Sequence, residues 1–395
     1  MSHPARHLFA GRSAAPETTA VTFGVEEEFL LLDPHRGRPV PAGPALLRVL
    51  RDHPGPRPEL MRYQVETVTS VCTSADELRK EISRLRALGT AGARALGCAL
   101  VATGTAPYGA PGLSALSDVP RYRGLALRHP ALTARFGVCG CHVHVGVATR
   151  DLGVQVLGRL RPWLATLLAI SANSPIADGH DTGWASHRYA LVSQWPTARP
   201  PGEWQDAAEY DRVVQQFLRR GAAMDERGVY LLARLSPRFP TVEVRIADVC
   251  ADADTTVLIA ILVRALVATA VSEIRAGMPL TPVPSARLNA GLLAAARHGL
   301  TGPGVDPITG CPVPARDLVA DLVDHAGDAL VDLGDAATAA GLLDQLHLRG
   351  TGAQRQRSLW TSTASAAEMV SGLAAITATP AGVRRPHRVG SGNRA

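Results

Sequence analysis

The stretch Phe23-Gly24-Val25-Glu26-Glu27-Glu28-Phe29 places three consecutive carboxylates between apolar residues, and Leu30-Leu31-Leu32 follows directly. The flanking β-branched and aromatic residues predict a buried strand. Side chains alternate between the faces of a strand, so Glu26 and Glu28 share one face while Glu27 points to the other. Two like charges side by side in a core are costly unless a cation neutralises them. The stretch therefore predicts a divalent metal; the alternative is an edge strand whose carboxylates reach water or an arginine.

The composition excludes several classes of protein. The chain has 395 residues, enough for a large core and one or two domains. Its formal net charge is +6 at pH 7, and Lys80 is the only lysine, so nearly all of the positive charge is arginine. The arginines are scattered and no basic helix interleaved with aromatics appears, so no nucleic-acid partner is expected. Arginine does suit carboxylate and phosphate recognition through bidentate pairing.

The cysteines and the apolar segments point to a cytoplasmic protein. Six cysteines lie in a long chain without an export signal, at positions 72, 98, 139, 141, 250 and 311. They indicate reduced thiols and not a disulfide framework. The most apolar run, Val257 to Val271, is short and is interrupted by Arg264. We therefore expect a buried helix there, and no membrane partner.

The order of the elements predicts an α+β fold, with helices packed on one side of a largely antiparallel sheet. Strands are expected at residues 21–32, 61–71, 98–104, 137–147, 229–234 and 241–249. Helices are expected at 41–52, from Ser74 onward, at 154–172 with a kink at Pro162, at 206–220 and at 254–277. Residues 21–284 would form a catalytic sheet region and 285–379 a helical C-terminal part of the same domain. Residues 1–20 and 380–395 are expected to be disordered tails, the second of them basic.

The segment Cys139-Gly140-Cys141-His142-Val143-His144 contains the residue types of a zinc site. Strand alternation, however, puts His142 and His144 on one face and the two cysteines on the other. A Cys₂His₂ quartet cannot close from a straight strand. We expect one or both histidines to face the same cavity as Glu26 and Glu28; the alternative is a pair of buried histidines with internal partners.

Two further strands show the same pattern of one charged face. In Thr241-Val242-Glu243-Val244-Arg245 a carboxylate and an arginine share a face, which is typical of either a structural ion pair or a site. Glu66 lies in the strand Gln64-Val65-Glu66, with Glu59 seven residues earlier. A sheet face lined with such carboxylates and imidazoles can hold two or more hard cations. Such cations bridge nucleotide phosphates and neutralise charge in phosphoryl transfer.

The stretch 173–205, rich in Pro, Gly and Trp, is too long for a plain connection. The polar residues from Ser171 to Arg188 favour a substrate-binding loop. Arg188 is a candidate clamp for a substrate carboxylate. The alternative is a solvated surface loop. The sequence contains no Walker A loop, no Rossmann glycine pattern and no serine nucleophile elbow. Nucleotide binding is therefore expected to depend on metal and arginine.

These segments occur in the order seen in the carboxylate–amine ligases of the glutamate–cysteine ligase type 2 family, which the chain resembles over about residues 20–375. The matching blocks are Gly24–Phe29, Gln64–Glu66, Cys139–Gly146, Ser171–Arg188, Thr241–Arg245 and Arg355–Arg357. The resemblance implies the glutamine-synthetase-like fold, in which an antiparallel sheet forms an open funnel that holds Mg²⁺ and ATP. It also implies a reaction in which ATP phosphorylates a substrate carboxylate and an amine attacks the acyl phosphate. An amide forms, and ADP and phosphate leave.

The resemblance also implies roles for particular residues. Metal ligands would be Glu26, Glu28, Glu66 and Glu243, with Glu59, His142 and His144 as further candidates. Arg245, together with Glu243, would be catalytic and would steady the phosphoryl group. Arg188 would hold the acid substrate, with Asn173 and Arg234 as further substrate-binding residues. The implied partners are a small-molecule acid and a small-molecule amine, and a homodimer is left open.

The chain departs from the family pattern at three places. It has Ala106 in Gly104–Pro107 where family members often have histidine, Ile176-Ala177 where they often have two aromatics, and Ala290-Gly291-Leu292 where they often have Trp and Arg. The metal motifs are kept, so we interpret the departures as kept chemistry with an altered substrate pair. Weak glutamate–cysteine ligase activity is the activity that the family suggests. One alternative is a phosphotransferase, a kinase acting on a small molecule in the same funnel. Another is a non-catalytic protein that kept the sheet, but the intact charged face argues against it.

Overall fold

The structure is a computed structural model that describes residues 21–382. The predicted tail over residues 1–20, and residues 383–395 of the predicted C-terminal tail, lie outside the described residues. The strands are β1 Phe23–Leu32, β2 Pro56–Pro58, β3 Gln64–Val68, β4 Ala99–Val101, β5 Cys141–Gly146, β6 Ile176–Ala177, β7 His180–Asp181, β8 Ala233–Leu235, β9 Thr241–Val244, β10 Pro303–Val305 and β11 Pro312–Pro314. The helices are α1 Gly43–Val49, α2 Ala75–Ala95, α3 Pro120–Arg128, α4 Pro130–Ala134, α5 Arg150–Leu160, α6 Leu164–Ser171, α7 His187–Val192, α8 Ala207–Arg219, α9 Ala253–Arg275, α10 Ser285–His298, α11 Ala315–His325, α12 Gly327–Asp332, α13 Ala336–Arg349, α14 Gly352–Ser362 and α15 Ala366–Thr377.

Seven strands form one sheet in the order β2-β3-β1-β5-β9-β8, with β4 paired to β1. Every pairing in it is antiparallel, so the predicted α+β architecture with a largely antiparallel sheet is confirmed. The ten-residue strand β1 contacts β5 along its first half, β3 along its middle and β4 at its end. The acidic stretch Glu26–Glu28 therefore lies at the centre of the sheet.

The two faces of the sheet differ because apolar and charged residues alternate along the strands. On one face, Val25 of β1, Val143 of β5 and Val244 of β9 are buried in a core that also contains most of α9. The opposite face carries the carboxylates and imidazoles of the same strands and borders an open cavity. The sheet thus separates an apolar core from a charged site.

Glu27 lies on the core face, where a buried cation neutralises it. Its carboxylate accepts hydrogen bonds from Arg86 of α2 at 2.6 and 3.1 Å, and from the Thr256 hydroxyl of α9 at 2.7 Å. Arg86 also donates to the backbone carbonyls of Cys250 at 2.8 Å and Thr377 at 3.3 Å. The side chains of Glu27 and Arg86 are each 2% exposed. This ion pair fastens α2, α9 and the C-terminal helix to the back of β1, and it leaves Glu27 without access to the cavity.

The strands and helices expected between residues 21 and 277 are present, and most of them are shorter than expected. The strand β8 is shifted to Ala233–Leu235, and α5 begins at Arg150, before the expected start at residue 154. The predicted break at Pro162 is confirmed, because α5 ends at Leu160 and α6 begins at Leu164. The start of α2 expected at Ser74 is confirmed as well: Ser74 is its N-cap, and the Ser74 hydroxyl accepts a hydrogen bond from the backbone N–H of Glu77 at 3.2 Å. The Glu77 carboxylate accepts a hydrogen bond from the backbone N–H of Thr73 and not from that of Ser74.

The sequence patterns do not predict β2, the α3–α4 pair, the β6–β7 hairpin, α7 or the β10–β11 hairpin. β2 is the proline-rich segment Pro56–Pro58 at the edge of the sheet, where a missing N–H costs no ladder hydrogen bond. α3 begins with Pro120, a residue suited to the first position of a helix. The hairpin interrupts the part of the chain that was expected to be continuously helical.

Among the described residues, α9 is the only helix long and apolar enough to cross a membrane, with a mean hydropathy of 2.2 over its most apolar window. Two-thirds of that window (67%) is buried inside the protein, and Arg264 within the helix forms an ion pair with Asp335 at 3.2 Å. The prediction of a buried core helix is therefore confirmed. Leu292 of α10, Val319 of α11 and Leu342 of α13 belong to the same core. The boundary expected after residue 284 stays a prediction.

Candidate active site

The charged side chains of neighbouring strands meet on the sheet face that borders the cavity. Strand register places the following residues directly opposite one another: Glu28 and Glu66, Glu26 and His142, His144 and Glu243, and Glu243 and Arg234. Opposite residues of an antiparallel pair are close neighbours on the same face. The register therefore brings together residues that are far apart in the sequence.

This face forms one side of a cavity of about 540 Å³, within the size range of small-molecule sites. Its carboxylates and imidazoles are Glu26, Glu28, Glu59, Glu66, Glu243, His142 and His144. Its arginines are Arg57, Arg121, Arg188, Arg227, Arg234, Arg238 and Arg245. An apolar side includes Tyr122, Leu125, Phe136, Val138, Val192 and Tyr230. Every predicted site residue except Asn173 thus lines one cavity.

Glu26 lies between the two histidines of β5. Its Oε2 is 3.2 Å from His142 Nδ1, and its Oε1 is 3.4 Å from His144 Nε2. Glu26, His142 and Glu243 each offer a ligand atom, and these three atoms lie within 4.8 Å of one another. Burial alone would raise the pKa of Glu26, but the hydrogen bonds and positive charge of the two histidines outweigh burial and hold that pKa well below its usual range. The Glu26 carboxylate is therefore ionised at neutral pH.

Glu28, Glu66 and His142 form a second cluster whose ligand atoms also lie within 4.8 Å of one another. Glu28 accepts a hydrogen bond from the backbone N–H of Gly140 at 2.6 Å. Glu66 has no hydrogen-bond or ion-pair partner within residues 21–382. Burial, followed by repulsion from neighbouring carboxylates, raises the pKa of Glu66 well above its ordinary value, and burial also raises the pKa of Glu28. The part of the chain that the structure describes supplies no contacting cation for Glu66.

These two clusters suit a hard divalent cation. Both offer carboxylate oxygens, the donors that Mg²⁺ and Mn²⁺ prefer, together with the imidazole of His142. Glu66, which has no partner among the described residues, is a partly buried acid whose charge a cation would neutralise. Cys139 and Cys141 are fully buried and belong to neither cluster in the described part of the chain. The geometry therefore agrees with the argument against a zinc quartet.

Glu243 is held by two arginines. Arg234 pairs with it in bidentate fashion at 2.8 and 3.2 Å, and Arg245 Nη1 contacts the same carboxylate. Burial would raise the pKa of Glu243, but the two guanidinium groups outweigh burial and keep it well below its ordinary value. Arg234 Nη1 also donates to the backbone carbonyl of Val229 at 2.9 Å. Arg234, which was expected to bind substrate, thus directs its donors at Glu243 and the backbone, so its contacts describe a positioning role.

Arg188 reaches the cavity from the N-terminal turn of α7. Its guanidinium donates to the carbonyls of Ile246 at 3.2 Å and Arg245 at 3.4 Å, while its buried Nε has no partner among the described residues. It lies directly against Gly140, where an added Cβ would be 2.2 Å from Nη2. Buried donors are rarely left without an acceptor. The free Nε therefore favours an anionic ligand group at this end of the cavity.

Asp248 fixes the loop that carries Arg188, and the sequence patterns do not single it out. Its fully buried carboxylate accepts from the hydroxyls of Ser174 at 2.7 Å and Ser186 at 2.8 Å, and from the N–H of Asn173 at 2.9 Å. It also lies 3.8 Å from Arg188. Burial raises the pKa of Asp248. The alternative of a solvated surface loop is excluded at these positions.

Asn173 is fully buried and does not line the cavity. Its side-chain amide donates to the carbonyls of Ala102 at 3.0 Å and Val249 at 2.8 Å, and its Oδ1 accepts from Gln356 at 2.8 Å. Because its polar atoms are used within the protein, the structure corrects the expectation that Asn173 contacts substrate. Asn173 joins the loop, the sheet and α14.

The departures from the family pattern also lie away from the cavity. Ala106, Ile176 and Ala177 are buried, and none of them lines it. Residues 290–292 begin in the exposed part of α10 and turn into the core, again outside the lining. Their placement therefore does not support the interpretation that these departures alter the substrate pair.

Several lining residues are absent from the sequence-based site. Arg121 and Tyr122 come from α3, where Arg121 pairs with Asp225 at 2.7 Å. Tyr230 precedes β8, and Arg238 lies in the β8–β9 turn. A helix that starts at Pro120 with Arg121, Tyr122 and Leu125 on one side is the signal that could have indicated them.

Comparison with known proteins gives a consistent family. The sequence model of glutamate–cysteine ligase family 2 matches residues 22–373. A relative from Mycolicibacterium smegmatis, provisionally named glutamate–cysteine ligase 2-3, is 41% identical over 358 residues, which cover 90% of this chain and 98% of that protein. A relative from Frankia alni, provisionally named glutamate–cysteine ligase 2-2, is 44% identical over 356 residues, which cover 86% of this chain and 92% of that protein.

The fold has a counterpart among solved structures. A glutamate–cysteine ligase from Francisella tularensis, solved in complex with AMP, superposes with a TM-score of 0.66 over 91% of this chain and 88% of that chain, at 13% identity. At that identity the likeness shows the fold, and it confirms the glutamine-synthetase-like sheet. The family match over residues 22–373 and the two relatives above 40% identity show more: the chain belongs to glutamate–cysteine ligase family 2, a family of ATP-dependent carboxylate–amine ligases.

Proposed function

We propose that this protein joins an acid and an amine through an acyl phosphate, using ATP and Mg²⁺ and releasing ADP and phosphate. The observation that carries the proposal is the shared face of β1, β3, β5 and β9, where carboxylates and imidazoles converge in one cavity with Arg188 and Arg245. Family membership supports the reaction class. A glutamate–cysteine ligase of the same fold has been solved with AMP, which supports a nucleotide in the cavity.

The metal-binding residues of the proposal are Glu26, Glu28, Glu66, Glu243, His142 and His144, with Glu59 as a further candidate. Mg²⁺ bound there would neutralise the nucleotide phosphates and the charge that builds up during phosphoryl transfer. Glu59 lines the cavity, and burial raises its pKa. Its Oε1 accepts from the backbone N–H of Leu60 at 2.8 Å, so one oxygen remains for a ligand.

The remaining roles follow from charge and placement. Arg188 would hold the carboxylate end of the acid substrate through its free Nε, and Arg245 would contact the transferred phosphoryl group. In the first step, a carboxylate oxygen attacks the γ-phosphorus of ATP and the bond to ADP breaks. In the second step, the amine nitrogen attacks the acyl carbon, the bond to phosphate breaks, and phosphate takes up the proton that the nitrogen loses.

Glutamate and cysteine are the pair that the names of the relatives suggest, and we propose weak glutamate–cysteine ligase activity as the first activity to test. The substrates are small molecules, and we propose no nucleic-acid or membrane partner. The six cysteines are free thiols, five of them buried, which supports a cytoplasmic setting.

The experiment is phosphate release from ATP and Mg²⁺ over a matrix of acids and amines, with product identification by mass spectrometry. Release that requires both an acid and an amine, with formation of the amide, is the expected result. Release with an acid alone and a stable phosphorylated product would favour the phosphotransferase instead. Glu28→Gln and Arg245→Gln should each abolish turnover while the thermal unfolding transition remains cooperative. Turnover that survives both substitutions would contradict the assignment of this cavity as the active site.

A further inference from the structure

Arg245 and Arg234 hold the same carboxylate in different ways. Arg234 contacts both oxygens of Glu243, and its Nη1 is also bound to the backbone carbonyl of Val229. Arg245 contacts only Oε1 of Glu243, and no backbone carbonyl among the described residues accepts from its guanidinium. Its side chain is 18% exposed, against 8% for Arg234. Arg245 is therefore the less anchored of the two cations.

The guanidinium of Arg245 occupies the position of a cation in the first carboxylate cluster. Its Nη1 contacts Glu243 and lies 3.5 Å from His142 Nδ1. Both residues belong to the cluster completed by Glu26, whose ligand atoms lie within 4.8 Å of one another. A divalent cation sits about 2.1 Å from such ligand atoms. It would therefore come close to Nη1, and two positive charges so near each other repel strongly in a partly buried site.

The Nδ1 atom of His142 faces two groups with conflicting hydrogen-bond requirements while Arg245 lies beside it. Its Nδ1 lies 3.2 Å from Glu26 Oε2 and 3.5 Å from Arg245 Nη1. One ring nitrogen can donate to the carboxylate or accept from the guanidinium, but it cannot do both. One of the two contacts is thus unsatisfied as long as Arg245 remains beside His142. Departure of Arg245 would remove this conflict.

We propose that Arg245 is the internal counter-ion of the cluster formed by Glu26, His142 and Glu243, and that a divalent cation entering the cluster displaces its guanidinium into the cavity. This inference rests on the metal site of the proposed function. After displacement Glu243 remains paired with Arg234, so Glu243 is not left without a cation. The donors of Arg245 become free inside the cavity, where an anionic group can accept them. Metal loading and delivery of this arginine to the substrate are then a single event.

Magnesium titration of the nucleotide-free protein by calorimetry tests the competition. Arg245→Gln removes the competing cation, so we expect Mg²⁺ to bind about tenfold more tightly, the change that corresponds to one ion pair of ordinary strength. Arg238→Gln is the matched control, because Arg238 is exposed, lines the same cavity and lies outside both clusters. It removes the same charge at a larger distance, so we expect a change of less than about twofold.

A second measurement follows Mg²⁺ binding in the unmodified protein, and variants serve only to assign its spectrum. The Nε–Hε signals of Arg245 and Arg234 in ¹⁵N-labelled protein are assigned by their loss in the spectra of Arg245→Gln and Arg234→Gln, respectively. We expect Mg²⁺ to shift the Arg245 signal and to leave the Arg234 signal in place. An Arg245 signal that does not respond to bound Mg²⁺ would overturn the displacement.

The titrations distinguish this inference from the proposed function. Equal tightening in Arg245→Gln and Arg238→Gln would mean that only the total charge of the cavity matters, and it would overturn the displacement while the metal site stands. Weaker Mg²⁺ binding in Arg245→Gln would overturn it as well. If neither the wild type nor the two variants bind Mg²⁺, both the displacement and the metal site are wrong. The phosphate-release assay tests the ligase reaction separately.

Discussion

Glu28 and Glu66 lie directly opposite each other across the antiparallel β1–β3 pair, on the face that borders the cavity. Like charges at opposite positions destabilise a sheet. Glu66 has no partner within the described chain, whereas Glu243 on the same face is held by Arg234 and Arg245. The cavity thus contains one carboxylate that opposes folding and another that supports it.

Glu66→Gln should therefore stabilise the metal-free protein. The substitution removes a partly buried charge that has no contacting cation among the described residues, and we expect the free energy of unfolding in EDTA to rise by about 1 kcal/mol. The same variant should lose Mg²⁺ binding and ATP turnover, because a ligand is gone. Thermal unfolding in EDTA and in Mg²⁺ measures both effects. If Glu66→Gln is less stable than the wild type in EDTA, then Glu66 has a structural partner and is not a free ligand.

Glu243→Gln should have the opposite effect on stability. The substitution leaves Arg234 and Arg245 as buried cations without their carboxylate, and breaking such a pair costs about 3–5 kcal/mol. We expect a lower unfolding midpoint in urea with an unchanged m-value, measured beside Glu66→Gln under identical conditions. Glu66 and Glu243, two carboxylates of one cavity, would then contribute to the free energy of unfolding with opposite signs. Equal effects of the two substitutions would contradict the pairing described here.

The raised pKa of Glu66 also fixes the sign of a pH dependence. A carboxylate with a higher pKa in the folded state than in the unfolded state binds its proton more tightly when folded. Such a carboxylate lowers the free energy of unfolding as pH rises from its unfolded-state pKa to its folded-state pKa. Above the folded-state pKa the destabilisation is complete. Burial of His142 lowers the pKa of that imidazole. Its effect on stability has the opposite sign, because the free energy of unfolding then falls as pH falls through the usual histidine range. The two effects must therefore be separated by comparison with a variant.

The comparison is between the wild type and Glu66→Gln in EDTA over a range of pH. The stability advantage of Glu66→Gln should be largest at alkaline pH and should vanish at acid pH, where Glu66 is protonated in the wild type. Mg²⁺ binding to the wild type should release protons, which calorimetry detects in buffers of different ionisation enthalpy. An advantage that is independent of pH would show that Glu66 titrates normally.

Strand alternation places Glu26, Glu28, His142, His144 and Glu243 correctly because the period of two holds whatever the neighbouring strands are. Register does not follow from it, since a shift by two residues keeps the face and changes every partner. The opposition of Glu28 to Glu66 is therefore a result of the fold and not of any local pattern. The same is true of the two clusters of carboxylates and imidazole, each of which depends on two strand registers at once.

Residue type alone does not reveal the internal contacts of Arg234 and Asn173. An arginine on a charged face and an asparagine in a polar loop are both candidate ligands, and only the contacts show that their polar atoms are used internally. The partners of Asn173 lie in segments as distant as Gln356. Arg121 and Tyr122 were missed for the converse reason: the segment that covers the cavity contains no strand pattern, and its helix is marked only by Pro120.

Single substitutions of the neighbouring residues Glu27 and Glu28 should have different effects, one on stability and the other on Mg²⁺ binding. Glu27→Gln breaks the buried pair with Arg86, and we expect a loss of about 3–5 kcal/mol of stability. Mg²⁺ affinity of the folded fraction should not change, because Glu27 lies on the core face. Glu28→Gln should show the reverse, with Mg²⁺ binding lost and the unfolding midpoint nearly unchanged. Loss of Mg²⁺ binding in a folded Glu27→Gln protein would mean that the two faces are not independent.

Gly140 should control the position of Arg188. An added Cβ would lie 2.2 Å from Nη2 and 2.8 Å from Cζ of Arg188, so Gly140→Ala must displace the guanidinium. We expect KM for the acid substrate to rise by about ten- to a hundredfold, the range for loss of one hydrogen bond to a charged group, with a smaller effect on kcat. Arg188→Ala should give a similar KM, and the double variant should be no worse than Arg188→Ala alone, because both changes remove the same contact. The acid is the one identified by phosphate release, with glutamate tested first. Additive effects of the two substitutions would instead indicate that Gly140 acts through the N–H that it donates to Glu28.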